Sequence, residues 1–328
     1  MTSKVTSLEV AERAGVSRSA VSRVFTPGAS VSKKTAEKVR AAAEELGYRP
    51  NILARSLLTG RSRIIGLVVA YLDNHFYPKA LEQLSTALEA QGYHVLVFMA
   101  SQSAGNIERV TEEILDYQVD GLVLASVTLS SDLANRCRAL GVPVVLFNRR
   151  QGEPGELAIV SDNRAGGRLA AEHLLACGCR RIAHIAGQKA ASTQADREAG
   201  FLEGLAAAGV RPLARAIGNF DLTQARAATL ELFDRDDRPD SVFVANDYMA
   251  FAVLDTLREI GLDIPGDVAV IGFDDVPAAA WPTYDLTTIR QDSAAMVAAT
   301  VETLMAAIEG NAEPRDELPV RLVIRSTA

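Results

Sequence analysis

Cysteine is scarce in this chain of 328 residues: Cys137, Cys177 and Cys179 are all it has. Three thiols do not make a disulfide framework, and they fit a reducing compartment. Cys177-Gly-Cys179 has the spacing of a metal or redox pair, but only a lone His173 stands nearby, so the bland reading is reduced structural thiols. Long hydrophobic runs are missing too. No stretch approaches about 18 uninterrupted apolar residues, so nothing reads as a membrane span. The N-terminal run MTSKVTSLEVAERAGVS lacks the apolar core and small-residue cleavage site of an export signal, so the cytoplasm is the expected location. Catalytic signatures are equally absent. There is no Gly-x-Ser-x-Gly, no phosphate-binding Gly-x4-Gly-Lys-Ser/Thr and no His-Glu-x-x-His. The four histidines, His75, His94, His173 and His184, are scattered without metal spacing. Asp274 and Asp275 are adjacent, and adjacent carboxylates in a strand rarely face one site. No enzyme activity, cofactor or metal is expected.

What remains is a composition of 48% hydrophobic and 23% charged residues, that of a soluble globular protein, with a length that calls for two or three domains. The net charge of −7 conceals an asymmetry. Residues 1–62 carry 11 Lys and Arg against 5 Asp and Glu, a net of +6, while the rest carries 23 against 36, a net of −13. A basic head on an acidic body implies that the head alone meets a polyanion.

Within the head, Thr6-Ser7-Leu8-Glu9 has the form of a capping box, in which hydroxyl and carboxylate satisfy backbone N–H groups at a helix start. Leu8, Val10, Ala11 and Ala14 give a short apolar face, Gly15 suits a left-handed turn, and Ser17 is placed to cap a second helix from Arg18 to Phe25. Val21, Val24 and Phe25 of that helix are expected inward, and Arg18, Ser19, Ser22 and Arg23 outward. A third helical pattern runs from Ser32 through Val39, Ala42, Ala43 and Leu46 to Gly47. Two short helices with a tight turn and a polar second helix describe a helix-turn-helix, whose second helix enters a major groove about 12 Å wide.

The run Val5 to Ser17, followed by Val21-Ser22-Arg23-Val24, closely resembles the headpiece of the lactose-repressor family of bacterial transcription factors. Val31-Ser32-Lys33-Lys34-Thr35, Leu46-Gly47-Tyr48-Arg49-Pro50-Asn51, Ala54-Arg55-Ser56-Leu57 and Thr59-Gly60-Arg61-Ser62 continue the match in order. The resemblance implies double-stranded operator DNA as partner. It puts Arg18, Ser19, Ala20 and Arg23 at base-reading positions, and Thr6, Ser17, Ser22, Lys33, Thr35 and Asn51 against the phosphate backbone. Residues 52–58 resemble a hinge helix, in which Ala54, Arg55 and Leu57 meet the minor groove and Leu57 is the wedge. Such a helix is marginal in isolation, because nucleation is costly and few hydrogen bonds follow. It is therefore expected to become helical when two copies pair on DNA.

From residue 64 the pattern becomes strand-helix alternation. Ile64 to Val69, His94 to Phe98, Gly121 to Leu124 and Val142 to Phe147 read as strands separated by helices. The alternation restarts with Ile182 to Ile185, a short strand at 214–217, Ser241 to Val244 and Val268 to Ile271. Two such sets predict an α/β body of two doubly wound parallel sheets, with ligand in the crevice at the strand carboxyl ends. The resemblance implies a body like the periplasmic sugar-binding proteins. Its expected limits are a headpiece at 1–47, a linker with hinge helix at 48–61 and a body at 62–328. Within the body an N-lobe takes about 62–160 plus 291–320, and a C-lobe 161–290 plus 321–328.

Effector candidates follow from strand ends and from the resemblance. Ala195 to Phe201 resembles the family segment whose arginine binds ligand, which singles out Arg197. Asn246 and Asp274 stand at strand ends. A guanidinium, an amide and a carboxylate suit vicinal hydroxyls, so a sugar or sugar-like effector is expected. Phe220 matches an aromatic family position, and Trp281 offers a second aromatic wall. Asn148 and Asp162 match pocket positions of some relatives, and Phe76 and Tyr77 follow the first strand. Other readings stand beside these: Arg197 and Asp274 as a structural ion pair, Asn246-Asp247 as a helix cap, Trp281 as packing between lobes. His75 replaces a family proline, and Thr283-Tyr284-Asp285-Leu286 also departs from the family pattern near the expected cleft mouth. The chain stops at Ala328 without leucine heptads, so a homodimer rather than a tetramer is expected. A solute-binding module without a regulatory role is the rival reading.

Overall fold

The structure, a computed structural model, describes residues 5–26, 29–49, 61–100, 106–127 and 131–328. Asn51, Ala54, Arg55 and Leu57 lie outside the described residues. The chain divides into two compact units, residues 1–63 and 64–328.

In the first unit three helices form where local signals place them: α1 (Ser7–Ala14), α2 (Arg18–Val24) and α3 (Lys33–Leu46). At α1 the Thr6 hydroxyl accepts from the Glu9 N–H, and the Glu9 carboxylate accepts from the Thr6 N–H at 2.7 Å. This reciprocal box holds the Glu9 carboxyl below its usual pKa. Gly15 and Gly47 end α1 and α3 with φ of 64° and 67°, a left-handed conformation that a Cβ would oppose. Val10, Ala11, Val21, Val39, Ala42 and Ala43 make the core, and Arg13 bridges α1 to α3 through Glu45.

The second unit is two α/β lobes. In the first, the sheet order is β2 (His94–Met99), β1 (Ile64–Val69), β3 (Gly121–Ala125), β4 (Val144–Phe147), β5 (Ala158–Ile159), all parallel. Helices α4 (Phe76–Ala90), α5 (Asn106–Leu115) and α6 (Ser131–Ala139) fall between its strands. The second lobe carries α7 (Asn163–Ala176), β6 (Ile182–Ala186), α8 (Ser192–Ala207), β7 (Ala214–Ile217), α9 (Leu222–Phe233), β8 (Ser241–Val244), α10 (Asp247–Glu259), β9 (Ala269–Asp274) and β10 (Thr287–Gln291). The chain then returns to the first lobe, where α11 (Ser293–Ile308) packs on α4, β3, β4 and β5. It ends as β11 (Val320–Val323) in the second sheet, whose order is β11-β10-β9-β8-β6-β7. One detail differs from a wholly parallel sheet. β11 pairs antiparallel with β10, because the chain re-enters from the first lobe at the sheet edge instead of winding through another helix.

The inner strands β1, β3, β6, β8 and β9 are buried along their whole length, as strands covered on both faces must be. α7 and α8 approach unusually closely. A Cβ on Gly167 would collide with the Arg197 backbone, and one on Gly200 with that of Arg164. That contact sets the depth at which Arg197 enters the body.

Candidate functional site

The carboxyl ends of the strands carry a concentration of unusual backbone. Ser126 after β3, Asn148 after β4, Phe220 after β7, and Asp274 with Asp275 at the end of β9 all have positive φ, from 54° to 119°. Non-glycine residues in this region are strained by about 1–3 kcal/mol each, and such strain gathers at binding sites. Between these ends lies a buried polar centre.

Arg197, on α8, is 2% exposed. Its Nε donates to Asn163 Oδ1 at 2.8 Å, Nη1 donates to the Ala245 carbonyl at 2.6 Å, and Nη2 lies 3.3 Å from Asp274 Oδ1. The guanidinium also lies over the Phe273 ring, 3.7 Å from its centroid. Asp274 accepts from Gln291 Nε2 at 2.8 Å and from Asn74 Nδ2 at 3.2 Å, and the latter bond joins the two lobes. Burial disfavours charge on both partners, pushing the Asp274 carboxyl up and the Arg197 guanidinium down, while their mutual attraction opposes both shifts. We take the pair as ionised, because three partners hold each side. Asp247 beside it accepts from the Val276 N–H at 2.9 Å and from the Thr288 hydroxyl at 2.5 Å. Burial, reinforced by the Asp274 charge, raises its carboxyl well above the usual range.

The facing wall comes from the first lobe and is neutral at its heart. The Tyr77 hydroxyl donates to Ser126 Oγ at 2.8 Å and accepts from Asn148 Nδ2 at 3.1 Å. Tyr71 stands edge-on to Tyr77, ring centroids 5.2 Å apart, and burial pushes its phenol pKa up.

Arg197, Asp274, Tyr77 and Asn148 are thus gathered at one centre. Asn163, Asn74, Ser126, Tyr71 and Gln291 belong to it as well, and sequence reasoning missed them. They are common polar residues whose only signal is a position beside a strand end. Other candidates are placed differently. The Phe76 ring is a core element, stacked on Phe147 with centroids 6.0 Å apart and edge-on to Tyr77, since its place on α4 turns it under the sheet. Asn246 caps α10, its Oδ1 accepting from the Met249 N–H at 3.0 Å; Asp247, by contrast, is a buried acceptor and not the cap. Asp162 caps α7 through the Ala165 N–H at 2.7 Å. Phe220 lies with its ring on Gly187, where a Cβ would collide. Trp281 is 54% exposed and lines a mouth groove of about 300 Å³ with His75, Pro78, Lys79, Glu82, Pro277 and Ala278. Tyr284 packs on Phe251, centroids 4.3 Å apart. A cavity of about 350 Å³ between Cys137, Pro143 and Pro154 is lined by none of the residues of this centre.

The head presents its own surface. Ser19 and Arg23 are exposed on α2, and Ala20 is half-buried. Arg18 is exposed but donates from Nε to Ser7 Oγ at 3.0 Å, a bond it must release to reach a base edge. Ser17 Oγ accepts from the Ala20 N–H at 3.2 Å and so caps α2, and Thr35 Oγ1 lies 2.8 Å from Ser32 Oγ, the hydroxyl that caps α3. Ser22 and Lys33 are exposed. Among the described residues no cluster of His, Cys, Asp and Glu could hold a metal, and no helix is long and apolar enough to cross a membrane.

A helix-turn-helix unit joined to a two-lobed body with a polar centre at its strand ends defines the class: a DNA-binding transcriptional regulator with a ligand-binding type of body. Comparison with known proteins narrows the class. Residues 7–51 match the bacterial regulatory proteins of the lacI family, and residues 171–328 match the periplasmic binding protein-like domain. The chain is 31% identical over 323 residues to the ribose operon repressor of Halalkalibacterium halodurans, covering 97% of this chain and 96% of that protein. It is 35% identical over 326 residues to the HTH-type transcriptional regulator CelR of Thermobifida fusca, covering 97% and 94%. The crystal structure of the lac repressor dimer bound to operator and the anti-inducer ONPF superposes with a TM-score of 0.90 at 31% identity, covering 99% of each chain. The chain belongs to the lacI family of bacterial regulatory proteins.

Proposed function

We propose that the protein is a cytoplasmic repressor, without catalytic activity, that binds a palindromic operator as a homodimer and whose operator affinity is set by a sugar or sugar derivative held between the lobes. The observation that carries this reading is the hydrogen bond from Asn74 on one lobe to Asp274 on the other, where Asp274 is also paired with Arg197. A ligand hydroxyl competing for those bonds changes how the lobes meet. Arg18, Ser19, Ala20 and Arg23 read bases, while Thr6, Ser17, Ser22, Lys33, Thr35 and Asn51 hold phosphates. Ala54, Arg55 and Leu57, in the linker at 48–61, take the minor groove. Arg197, Asp274, Tyr77 and Asn148 bind the effector, with Phe220 and Asn246 around them, Asp162 at the lobe crossing and Trp281 at the mouth. The relatives support the reading through their names, one a ribose operon repressor and another a dimer bound to operator. Edge strand β2 supports pairing of two copies, since it leaves Val97 and Met99 half exposed beside a strand side that has no partner strand among the described residues. Coupling between the two sites is of order 1–3 kcal/mol and reciprocal.

The test is a DNA-binding selection on the full chain at controlled salt, repeated with a panel of sugars and nucleobases. A symmetric site whose affinity changes with one ligand class is the expected result. Binding without sequence preference, or a ligand response without DNA binding, would favour the solute-binding reading instead.

A further inference from the structure

The C-terminal end of α7 carries chemistry that neither the head nor the cleft uses. Of the three cysteines, Cys177 is exposed, and Cys137 and Cys179 are buried. Cys177 is the cap residue at that helix end, and its Sγ lies 3.6 Å from Nε2 of His173, one turn back on the same helix. The carbonyl end of a helix opposes a lone thiolate and favours a cationic imidazole. A thiolate at this place therefore forms as half of a pair, its proton passed to His173.

Cys179 stands two residues on, in a different setting. It is 9% exposed and packs in the core of the second lobe with Leu174, Ile182, Phe201 and Phe243. Burial pushes its thiol pKa up, so in the folded lobe it stays protonated and unreactive. Between the two cysteines Gly178 has a φ of 87°, and the N–H groups of Gly178 and Cys179 turn back onto the Leu175 and Leu174 carbonyls at 3.1 Å each. Two peptide units separate their end Cα atoms by about 7.6 Å at most. A turn shortens that span towards the roughly 4.4–6.8 Å that a disulfide bridges. A Cβ on Gly178 would meet nothing within 4 Å, so the turn has open space in which to rearrange.

We infer that Cys177 and Cys179 form a reversible oxidation site for hydroperoxides, with Cys177 as the attacking thiolate and Cys179 as the resolving thiol. The Cys177 thiolate attacks one peroxide oxygen, the O–O bond breaks, and the departing oxygen takes the proton held by His173. Cys177 becomes a sulfenic acid, and the peroxide is reduced to water or an alcohol. The Cys179 thiol then displaces the hydroxyl: the S–S bond forms, the S–O bond breaks, and water leaves with the thiol proton. A small thiol of the glutathione class reverses the step by two exchanges, so the disulfide is transient in a reducing compartment. Closing this bond draws Cys179 out of its core position, and oxidation thereby loosens the second lobe. The site precedes β6 at its amino end, the opposite end of the sheet from the cleft.

The test uses the full chain and its Cys177→Ser, Cys179→Ala and His173→Gln variants, treated with hydrogen peroxide and then digested with trypsin. Cleavage after Arg168 and Arg180 releases residues 169–180, one peptide that holds both thiols and not Cys137. In the wild type this peptide is expected to become two hydrogen atoms lighter, and dithiothreitol to restore it. Cys179→Ala is expected to stop at a sulfenic acid on Cys177, captured by dimedone. Cys177→Ser should leave Cys179 reduced, and His173→Gln should slow the reaction of Cys177 about tenfold or more. The oxidised wild type should melt about 2–4 °C below the reduced protein, a shift that Cys179→Ala does not show on oxidation. Oxidation of Cys179 or Cys137 ahead of Cys177, or a disulfide between two chains in place of the internal one, would overturn the inference. So would an unchanged peptide at peroxide concentrations that oxidise free cysteine. A rate unmoved in His173→Gln would remove His173 from the site, and a lighter peptide with an unmoved melting temperature would overturn the loosening of the lobe.

Discussion

The two walls of the cleft are made by the same kind of element, strand ends of parallel sheets, yet they differ in how completely their polar groups are used. On the second-lobe wall Arg197, Asp274 and Asp247 each meet two or more partners. Behind them His184 donates from Nδ1 to the Phe243 carbonyl at 2.9 Å and accepts from Gln194 at 3.1 Å, so the saturation continues into the core. On the first-lobe wall Tyr77, Ser126 and Asn148 form a neutral chain that ends in an unused oxygen, with Arg149, whose Nε has no partner among the described residues, beside it. A saturated buried network is rigid, and breaking it leaves charges without partners. An unsaturated one loses little when altered, and its free atoms gain most from a ligand. Apart from the unused Gln291 Oε1, the second-lobe wall is the more fully bonded of the two.

The comparison is most easily broken at Arg197. Replacing it with Ala strands the Asp274 carboxylate and the Asn163 side-chain oxygen in the core, with an expected loss of about 3–5 kcal/mol in urea unfolding and no remaining effector response. A loss below about 1 kcal/mol would mean that the second-lobe wall is no more rigid than the first. A somewhat smaller effect is expected from acid. Burial lowers the His184 pKa from 6.5 to about 4. The unfolded chain therefore binds this proton first, and stability present above pH 6.5 is lost as the pH falls from 6.5 towards 4. The loss is on the order of 3 kcal/mol, and His184→Gln should flatten that part of the stability curve against pH.

Tyr77→Phe tests the other wall. It removes two hydrogen bonds from a chain that already ends in an unused atom, so about 1 kcal/mol is expected in the same unfolding measurement. Its larger effect should fall on ligand affinity. Smallest of all is Trp281→Ala, expected to stay within about 0.5 kcal/mol because the ring is more than half exposed. As the single tryptophan, Trp281 offers a fluorescence signal at the mouth groove. Its emission should shift on effector binding if the lobes close, and an unchanged spectrum with a saturating effector would argue against closure there.

Much of this architecture was legible before any coordinates. The capping box at Thr6 and Glu9, the serine caps at Ser17 and Ser32, and the left-handed glycines Gly15 and Gly47 act over three or four residues, so a linear reading finds them. Strand-helix alternation placed both sheets, since fully buried strands are written as unbroken apolar runs. Arg197 and Asp274 were found as separate candidates, one through the family resemblance and one through its place at a strand end. Phe76 was read as an effector candidate and its ring packs on Phe147 and Tyr77, since an aromatic beside a strand end has the same sequence signature in a pocket and in a core. Asn246 was read both as ligand contact and as cap, and the Met249 N–H shows the cap.

Local sequence thus determined where the helices begin and end, which runs become strands, and that a basic head precedes an acidic body. Each of these depends on neighbours within one turn or one strand. Only the tertiary structure decided which polar atoms are matched. Asn74 meets Asp274 across 200 positions, and Gln291 reaches it from 17 residues away on the adjacent strand. Arg149 has no ion pair among the described residues and Arg150 has two although they are consecutive, because successive side chains leave the backbone in different directions and only the folded body supplies the carboxylates each one meets.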